Sequence, residues 1–392
     1  MKILDEARDL LPQISKDRRY LHQHPELAFN EFDTARFVAN RLETLGFSVT
    51  NGIGKTGVIG LSQAEADKPV IMLRFDMDAL PILEDNEVAY KSLEEGHMHA
   101  CGHDAHIASG LAIADLIMRY RSEFPATIKL VFQPAEEIGA GAMAMIEDSV
   151  LENPRPDYVL GMHVWNEKPI GWLGLTAGPV MAGCDELSIK IEGKGGHGGV
   201  PNLVKDPILA AANVIMSLQS IVSRNLSPFD SAVLSIGSIH AGSVSNIIPP
   251  IVEMLATLRT YSPEGREIML RRAKEIVEQV SAGMGCKGTL ENRGTIPPTI
   301  NDPEVTKVAL EASRAMGLDL TVDENYRTAG SEDMSYFLER IPGIFIFIGS
   351  ANGGEGKDFP HHHPRFDIDE RCLPIGIALM LETTRRLIGN GI

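Results

Sequence analysis

The chain has 392 residues, of which 44% are hydrophobic and 23% are charged, and its formal net charge is −17. This composition is typical of a globular protein, and the length predicts two domains rather than one. The charge argues against nucleic acid as a partner, because phosphate binding needs a basic surface. No apolar run approaches the roughly 18 residues of a membrane span. The four cysteines lack paired spacing, which indicates a reduced, cytoplasmic protein without membrane attachment.

The first part of the chain and its end predict an α/β domain. Helical periodicity runs over residues 4–21 and 33–45, and Gly46 is a stop signal after the second helix. A longer helix is predicted over 104–120. The continuous apolar runs that predict buried strands are 70–75, 127–132, 158–162 and 343–348. Such strands, alternating with helices, predict a mostly parallel sheet that helices cover on both faces.

The middle of the chain predicts an inserted domain of another class. Its elements are a strand over 185–192, a helix over 207–223, strands over 232–239 and 253–261, a helix over 263–281 and a strand over 287–292. This β-α-β-β-α-β order is the ferredoxin-like split βαβ sandwich. The α/β pattern then resumes with a helix over 302–316. We therefore predict a main domain formed by residues 1–183 and 295–392, and an inserted α+β domain over 184–294.

Metal-binding residue types lie where the predicted strands end. They are Asp76 and Asp78 after the first strand, residues 133–137 (QPAEE) after the second, His163 after the third, and Cys101, His103 and Asp104 before the helix at 104–120. The carboxyl ends of parallel strands meet at one edge of an open sheet, and ligands bind there. The sequence therefore predicts that side chains from separate segments converge on one site.

Each of these residues also has a simpler interpretation. A single histidine such as His163 usually packs in a core, and a glutamate pair such as Glu136-Glu137 usually faces solvent. Next to a buried strand, however, two adjacent carboxylates would repel each other unless a cation or a proton intervened. Cys101 and His103 supply ligands suited to zinc, manganese or nickel. Weaker candidates are His97, His99 and His106. His106 suits a contact with a ligand residue rather than with the metal ion itself.

Several blocks of the sequence, in order, resemble the aminoacylase/carboxypeptidase family of dinuclear metallohydrolases. Most similar is the amidohydrolase branch, which includes hippurate hydrolases, N-acyl-amino-acid amidohydrolases and plant indole-acetyl-amino-acid hydrolases. The blocks are RYLHQHPEL at 19–27, FDMDALPI at 75–82, HMHACGHDAH at 97–106, FQPAEE at 132–137, GMHVW at 161–165, GKGGHGG at 193–199, SNIIP at 245–249, GSED at 330–333 and HHHPRFDID at 361–369. The resemblance spans essentially the whole chain and implies that the inserted domain is a lid and dimerisation domain.

The resemblance also implies two divalent metal ions per subunit, either zinc, manganese, nickel or cobalt. The positions that match the family's ligands are Cys101, His103, Glu137, His163 and His362. Cys101 would lie between the two ions. His362 is chosen from the three tail histidines because the family's ligand precedes the proline by two residues. In the wider family a histidine two residues before the position of Asp78 is a metal ligand. This chain lacks that histidine, as the amidohydrolase branch does, and the resemblance implies that His103 supplies the nitrogen instead.

The reaction implied by the resemblance is hydrolysis of an amide by water. A divalent metal lowers the pKa of bound water toward about 7. Glu136, beside a ligand but not itself one, would accept the proton of that water and pass it to the leaving amine. Asp78 is expected to act with Glu136 as a catalytic residue. A nucleophilic attack by the Cys101 thiolate is the weaker alternative, because the metal ions would hold that thiolate.

Three residues of the inserted domain complete the implied site. His197 would reach the active site of the partner subunit and donate to the oxyanion, since the sequence shows no partner for it in its own loop. Asn246 and Arg259 would bind the carbonyl and the carboxylate of the substrate, because a guanidinium donates two parallel hydrogen bonds to a carboxylate. A flexible hairpin loop and a solvated arginine are the alternatives. Exposed edges of the inserted sheet also favour pairing of two copies, so a homodimer or a dimer of dimers is expected.

The sequence therefore predicts a metal-dependent amidohydrolase for a small-molecule substrate. It would cleave N-acyl or N-aroyl amino acids to a carboxylic acid and a free amino acid. A carboxypeptidase or dipeptidase with the same machinery and another pocket shape is the first alternative. The second is a metal-binding protein without turnover; Glu136 argues against it, because such a protein needs no base beside its ligands.

Overall fold

The computed structural model describes residues 2–62 and 68–390 and divides the chain into two compact units. The first unit consists of Met1–Gly178, Ile300–Tyr326 and Asp333–Ile392, and the second of Pro179–Thr299 and Arg327–Glu332. The insertion predicted over 184–294 lies inside the second unit. The return of the chain to the second unit over Arg327–Glu332 is a feature that the sequence does not predict.

Helices and strands alternate along most of the first unit. In the described part of the chain the strands are β1 Ser48–Ile53, β2 Gly57–Leu61, β3 Val70–Asp76, β4 Thr127–Gln133, β5 Tyr158–Pro169, β6 Trp172–Gly174, β7 Gly178–Met181, β8 Gly183–Glu192, β9 Gly196–His197, β10 Ala232–His240, β11 Ile247–Ile248, β12 Ile251–Thr260, β13 Lys287–Ile296, β14 Thr299–Asn301, β15 Thr321–Asp323 and β16 Gly343–Ala351. The α-helices are α1 Ile3–Asp9, α2 Leu11–Gln23, α3 Phe32–Leu45, α4 His103–Arg119, α5 Gly141–Glu147, α6 Pro207–Leu218, α7 Ser220–Arg224, α8 Pro263–Gly283, α9 Pro303–Ala315, α10 Ser335–Leu338 and α11 Leu373–Asn390. None of the helices in the described residues is long and apolar enough to cross a membrane.

The first unit contains an eight-stranded sheet with the order β1-β2-β4-β3-β5-β16-β6-β15. Its centre, β4-β3-β5-β16, is parallel, whereas β1 and β2 at one edge run antiparallel. Strands β3, β4 and β16 are buried along nearly their whole length. Continuous apolar runs are needed there because helices shield both faces of such a sheet. The predicted mostly parallel α/β sheet is confirmed.

Local departures from the predicted elements in the first unit have simple causes. The helix expected over 4–21 is divided at Leu10 into α1 and α2. Pro12, in the first turn of α2, lacks an amide hydrogen, and its ring excludes a helical hydrogen bond to the carbonyl four residues before it. The β1–β2 hairpin was not predicted, because the polar residues Thr50 and Asn51 interrupt the apolar alternation of its first strand.

The second unit contains a four-stranded antiparallel sheet with the order β10-β12-β8-β13. Buried and less buried residues alternate along β8 and β12, so one face of the sheet packs against α6 and α8 in a separate hydrophobic core. Asp206 and Ser262 cap these two helices with side-chain oxygens. The predicted β-α-β-β-α-β order is confirmed, with β10 and β13 as the edge strands.

Candidate metal centre

The predicted ligands lie near the edge of the sheet at which β3 ends, at Asp76. The sequence predicts that His163 follows a strand over 158–162, but it lies within β5, which continues to Pro169. The loop Cys101-Gly102-His103 leads into α4 and passes close to β5. Gly102 has a φ of +90°, and a Cβ at this position would lie 2.4 Å from Cγ2 of Val164. Only glycine therefore lets this loop approach the strand so closely.

Cys101 and His163 form one part of the site. The Sγ of Cys101 lies 3.5 Å from Nε2 of His163. The Nδ1 of His163 lies 2.6 Å from the carbonyl oxygen of Val164, which only accepts hydrogen bonds, so the proton of the neutral ring is on Nδ1. Burial, reinforced by His106 and His361, holds the pKa of His163 well below its ordinary value. The ring is therefore neutral, with an Nε2 lone pair available to a metal ion beside the thiol.

His103 and Glu137 contribute polar atoms that lack partners. The Nδ1 of His103 donates to the carbonyl oxygen of Asp78 at 2.9 Å, which leaves Nε2 as the available nitrogen. This Nε2 lies 3.9 Å from Oε1 of Glu137 and 3.9 Å from Oε2 of Glu136. Among the described residues, neither Nε2 of His103 nor Oε1 of Glu137 has a hydrogen-bond partner, although both are buried. Burying such atoms unpaired is costly, and a cation between them would satisfy both.

The three tail histidines have three different environments. The Nε2 of His362 lies 3.3 Å from Oε2 of Glu137, and this hydrogen bond raises the pKa of His362. The Nδ1 of His361 lies 3.8 Å from Sγ of Cys101. The ring of His363 stacks on a phenylalanine ring, with centroids 4.6 Å apart. The contact with Glu137 thus belongs to His362, the tail histidine that the family pattern selects.

Two candidate ligand groups share Cys101. One consists of Cys101, His103 and His163, and the other of Cys101, Glu137 and His362. Within each group the ligand atoms lie within 4.8 Å of one another. Two groups joined by one thiol fit two metal ions with Cys101 between them, and thiolate, imidazole and carboxylate together suit borderline divalent ions. The structure brings all five predicted ligands together.

The site carries a surplus of negative charge that favours a cation. Burial, followed by the neighbouring glutamates, holds the pKa of the Cys101 thiol well above its ordinary value. Burial would lower the pKa of His103, but carboxylates, chiefly Asp76 and Asp78, outweigh it and raise the pKa to about 10. Both shifts have one origin, because carboxylates buried close together attract a proton or a metal ion. A metal ion has to displace these protons in order to bind.

Asp78 holds the backbone of the glutamate pair. Its two carboxylate oxygens accept hydrogen bonds from the amides of Glu136 and Glu137, each at 3.0 Å. One of these oxygens also lies 3.4 Å from Nδ1 of His103. Both oxygens are therefore engaged, so the contacts indicate an orienting role for Asp78, whereas the sequence grouped it with the catalytic residues. Glu136, by contrast, belongs to neither of the ligand groups that share Cys101, although it forms a further candidate group with His103 and Glu137.

A buried network next to the ligands was not predicted. The Nδ1 of His106 lies 2.5 Å from Oδ1 of Asp76, and its Nε2 accepts from the amide of Val164 at 3.0 Å. Both ring nitrogens of His106 are engaged, which fits an outer contact rather than a ligand. Arg74 donates to Asp76 at 2.6 Å and to Asp333 at 3.0 Å. One signal in the sequence could have indicated this network. Arg74 lies inside the apolar run VIMLRF, and a buried charge has to be paired.

A second buried network, here called the Arg18 cluster, joins α2 to the loop after β3, the start of α4 and the tail. Its members are Arg18, His22, Glu84, Asp104, Asp367 and Glu370. Arg18 is fully buried and donates to Asp104 at 3.1 Å, to Asp367 at 2.6 Å and to Glu370 at 3.3 Å. His22 lies with Nδ1 2.7 Å from Asp104 and Nε2 3.3 Å from Glu84. The sequence blocks at 19–27 and 361–369 belong to the family resemblance, but they do not predict these contacts.

The predicted residues of the inserted domain lie in the second unit. Strands β9 and β11 pair with each other, so His197 and Asn246 occupy neighbouring positions of one ribbon. The expectation that His197 has no partner in its own loop is wrong, because the amide of Gly199 donates to its Nδ1 at 3.0 Å. The proton of the neutral ring is therefore on Nε2. Arg259 is half-buried and donates to Oγ of Ser331 at 2.9 Å, so it is held in place rather than solvated.

Comparisons with known proteins agree on one family. Residues 72–386 match the family described as Peptidase family M20/M25/M40. The N-acetyl-L-cysteine deacetylase of Bacillus subtilis (strain 168) is 40% identical over 373 residues, which cover 95% of this chain and 88% of that protein. The IAA-amino acid hydrolase ILR1-like 4 of Arabidopsis thaliana is 37% identical, with 95% of this chain and 84% of that protein covered. The crystal structure of the Bacillus subtilis YXEP protein, described as a dinuclear metal binding peptidase from the M20 family, has a TM-score of 0.86 and 33% identity, with 98% of this chain and 99% of that chain covered.

These matches and the geometry point the same way. The family match includes every predicted ligand from Cys101 to His362. The resemblance predicted from the sequence blocks is confirmed, and the two ligand groups that share a thiol are of the kind that a dinuclear metal site needs. The chain therefore belongs to peptidase family M20/M25/M40, and it is a metal-binding hydrolase that acts on amide bonds.

Proposed function

We propose that this hydrolase cleaves N-acyl or N-aroyl amino acids to a carboxylic acid and a free amino acid. The observation that carries the proposal is the pair of ligand groups that share Cys101, with the carboxylate of Glu136 beside them. The names of relatives support the substrate class, since one is a deacetylase of N-acetyl-L-cysteine and another a hydrolase of IAA-amino acids. The first of these names describes an acyl group on the nitrogen of an amino acid.

The five predicted ligands would hold two divalent metal ions per subunit, either zinc, manganese, nickel or cobalt. When bound, such ions supply Lewis acidity, which lets a water molecule ionise near neutral pH and polarises a carbonyl group. The chain contributes oriented donors. His163 and His103 each donate Nδ1–H to a backbone carbonyl, which fixes the tautomer that presents Nε2 to the site.

Glu136 is the residue that moves the proton. Its carboxylate would take a proton from the attacking water and return it to the nitrogen of the leaving amine. Asp78 accepts a hydrogen bond from the Glu136 amide, which restrains the backbone of the base. Glu136 is only 9% exposed, so the carboxylate is largely shielded from bulk water. General-base catalysis of this kind contributes about 10²–10⁴-fold to the rate.

The second unit would recognise the substrate. Arg259 is proposed to bind the carboxylate of the amino acid and Asn246 the scissile carbonyl, because these are the side chains that donate to such oxygens. The hydrogen bond to Ser331 restrains the guanidinium of Arg259. His197 carries its proton on Nε2, which is the state that an oxyanion donor needs.

We also propose that the second unit pairs subunits into a homodimer or a dimer of dimers. Its sheet has an edge at β10, where Val233 is 46% exposed and Ile239 is 50% exposed. Apolar side chains beside an open strand edge favour contact with another copy. If the protein sediments as a monomer at assay concentrations, the dimer is contradicted. The cytoplasmic location stays a prediction from the sequence.

Mixed dimers test whether His197 serves the neighbouring site. His197→Ala and Glu136→Gln should each be nearly inactive alone. After subunit exchange the mixture should regain activity, because one site of the heterodimer then has both functional residues. Lack of rescue despite demonstrated exchange would mean that His197 acts within its own chain or not at all.

A carboxypeptidase or dipeptidase with the same site is the second candidate, favoured by the description of the YXEP protein as a peptidase. A substrate panel separates the two. The protein, loaded with manganese or zinc, is incubated with benzoyl-glycine, acetyl-amino acids and dipeptides, and amine release is measured against Glu136→Gln as the blank. We expect release from the N-acyl amino acids. Cleavage of dipeptides alone would overturn the proposal in favour of the peptidase, and release from none would indicate binding without turnover.

A further inference from the structure

His361 and His363 are the tail histidines to which the proposed mechanism gives no task, and of these His361 lies beside the shared thiol. Its ring packs against Trp165 and Phe366, with centroid separations of 4.9 and 5.0 Å, and meets the edge of His163 at 5.2 Å. The side chain is partly buried. The aromatic contacts limit rotation of the ring, so each of its nitrogens has a defined neighbour.

The backbone determines which nitrogen of His361 carries the proton. The amide of Asn166 lies 3.2 Å from Nε2 and donates to it. A backbone amide can only donate, so Nε2 presents its lone pair and the ring proton is on Nδ1. Asn166 itself is buried, and its side-chain amide donates to the carbonyl oxygens of Phe359 and Asp367. Asn166, whose backbone amide selects the tautomer, is thus fixed by hydrogen bonds to residues before and after the tail histidines.

The protonated nitrogen faces the shared thiol. Nδ1 of His361 lies 3.8 Å from Sγ of Cys101, within the range of a hydrogen bond to sulfur, and the ring also hydrogen-bonds to the backbone of the same cysteine. Two glutamates lie close to the same sulfur and disfavour a negative charge on it. A donor aimed at the sulfur offsets part of that repulsion, since hydrogen bonds to a charged acceptor are stronger than those to a neutral one.

We propose that His361 is a positioning residue that donates an Nδ1–H···S hydrogen bond to the Cys101 thiolate when that thiolate bridges two metal ions. The proposal rests on the metal centre of the proposed function but not on its substrate. Partners of this kind, one bond removed from the metal, typically change metal affinity or activity about 10–100-fold. His361 would therefore set how tightly the shared ligand holds its ions. Direct ligation by Nδ1 is the competing arrangement, and it would require the Nε2 proton that the Asn166 amide opposes.

A pair of variants separates a hydrogen-bond donor from a filler of space. His361→Asn keeps an amide N–H near the position of Nδ1, whereas His361→Leu removes the donor and keeps much of the volume. His363→Leu is the matched control, because it alters a nearby histidine whose ring stacks on Phe359. All variants are loaded with cobalt(II), whose thiolate charge-transfer absorption reports the sulfur directly. Affinity is measured by competition with a chelator, and thermal unfolding shows whether each variant is folded.

We expect His361→Leu to lose about 10–100-fold in cobalt affinity and to shift the thiolate absorption, while His361→Asn and His363→Leu stay near wild type. An unchanged affinity and spectrum in His361→Leu would overturn the proposal. Loss of one cobalt equivalent in both His361 variants would overturn the proposal in favour of direct ligation by His361. The lack of any thiolate band in the wild type would also overturn it, because Cys101 would then not be a ligand. Failure of the proposed function is a different result, namely a normal cobalt spectrum without hydrolysis of any N-acyl amino acid.

Discussion

The metal centre and the Arg18 cluster meet at consecutive residues of the chain, yet they differ in whether their buried charged groups have partners. In the Arg18 cluster a fully buried guanidinium contacts three carboxylates, and His22 contacts two. In the metal centre, buried atoms of His103 and Glu137 have no hydrogen-bond partner among the described residues. His103 and Asp104 are neighbours in the sequence, but they belong to different clusters. Residue types alone therefore do not tell a binding site from a structural network; the pairing does.

This difference implies opposite responses to mutation. In the metal centre the anionic side chains repel one another until a cation binds. Removing one ligand should therefore weaken metal binding without lowering the stability of the fold. In the Arg18 cluster each carboxylate contacts Arg18 or His22, so removing Arg18 leaves carboxylates buried without that partner. Stability and metal content should respond independently in the two regions.

The largest expected effect is that of Cys101→Ala. Because both ligand groups include Cys101, the variant should lose bound metal and all measurable activity. Its metal-free form should be at least as stable as metal-free wild type, since no charge partner is lost. Elemental analysis and thermal unfolding after chelation measure the two quantities. A metal content equal to that of wild type would make the thiol a structural residue.

Glu136→Gln should lose about 10²–10⁴-fold in turnover, because the amide keeps the shape but cannot accept a proton. Metal content and thermal stability should be unchanged. The matched control is Glu137→Gln, which alters the adjacent carboxylate and should lose metal as well as activity. Steady-state kinetics with elemental analysis distinguish the two variants, and near-normal turnover in Glu136→Gln would remove it as the base.

Arg18→Met should lower the free energy of unfolding by about 3–5 kcal/mol, the range measured when one partner of a buried ion pair is removed. The folded variant should still bind metal with wild-type stoichiometry. Arg19→Met is the control, because the Arg19 side chain is 47% exposed and its one ion pair among the described residues is with Glu370, so it should cost about 1 kcal/mol or less. Urea unfolding measures both. Equal losses in the two variants would contradict the structural role of the cluster.

The smallest expected effect is a pH dependence that comes from His22. Burial opposes its charged form, but hydrogen bonds with Asp104 and Glu84 outweigh it and raise its pKa from 6.5 to about 9. A raised pKa means that the native state binds the proton more tightly, so this stabilisation is complete below about pH 6.5 and is lost as the pH rises through about 9. His22→Asn should therefore be less stable than wild type at pH 6, with a smaller difference at pH 10. Urea unfolding at both values measures it, and an equal difference at both would show that the ring is neutral.

The positions of the ligands follow from the sequence more closely than their surroundings do. Apolar runs such as 70–75 and 127–132 predict parallel strands, and polar residues just beyond them have to meet at one sheet edge. Lys129 shows what such runs conceal: it is a buried cation inside an apolar strand, and it donates to the carbonyl oxygens of Glu152 and Pro154. Its partners lie in a separate loop, so no local pattern predicts them.

Partners that are distant in the sequence are the part that could not be predicted. Arg74 meets Asp333, and Arg18 meets Asp367, contacts that depend on the final packing of segments hundreds of positions apart. The three tail histidines are identical in type and adjacent in sequence. Their separate environments arise from the local backbone, in which His362 has a φ of 65°. The family pattern selects His362, but the sequence does not predict that His361 lies beside the thiol and His363 on a phenylalanine ring.

Gly102 has a consequence for anyone who would transplant this site into another protein. The spacing between the thiol and the imidazole depends on a main-chain loop lying so close to β5 that even a methyl group would overlap Val164. A design that copies the five ligand side chains onto a new backbone would therefore reproduce the chemistry without the geometry. The unit to copy is the strand, the valine and the glycine together, because they determine where the sulfur can be.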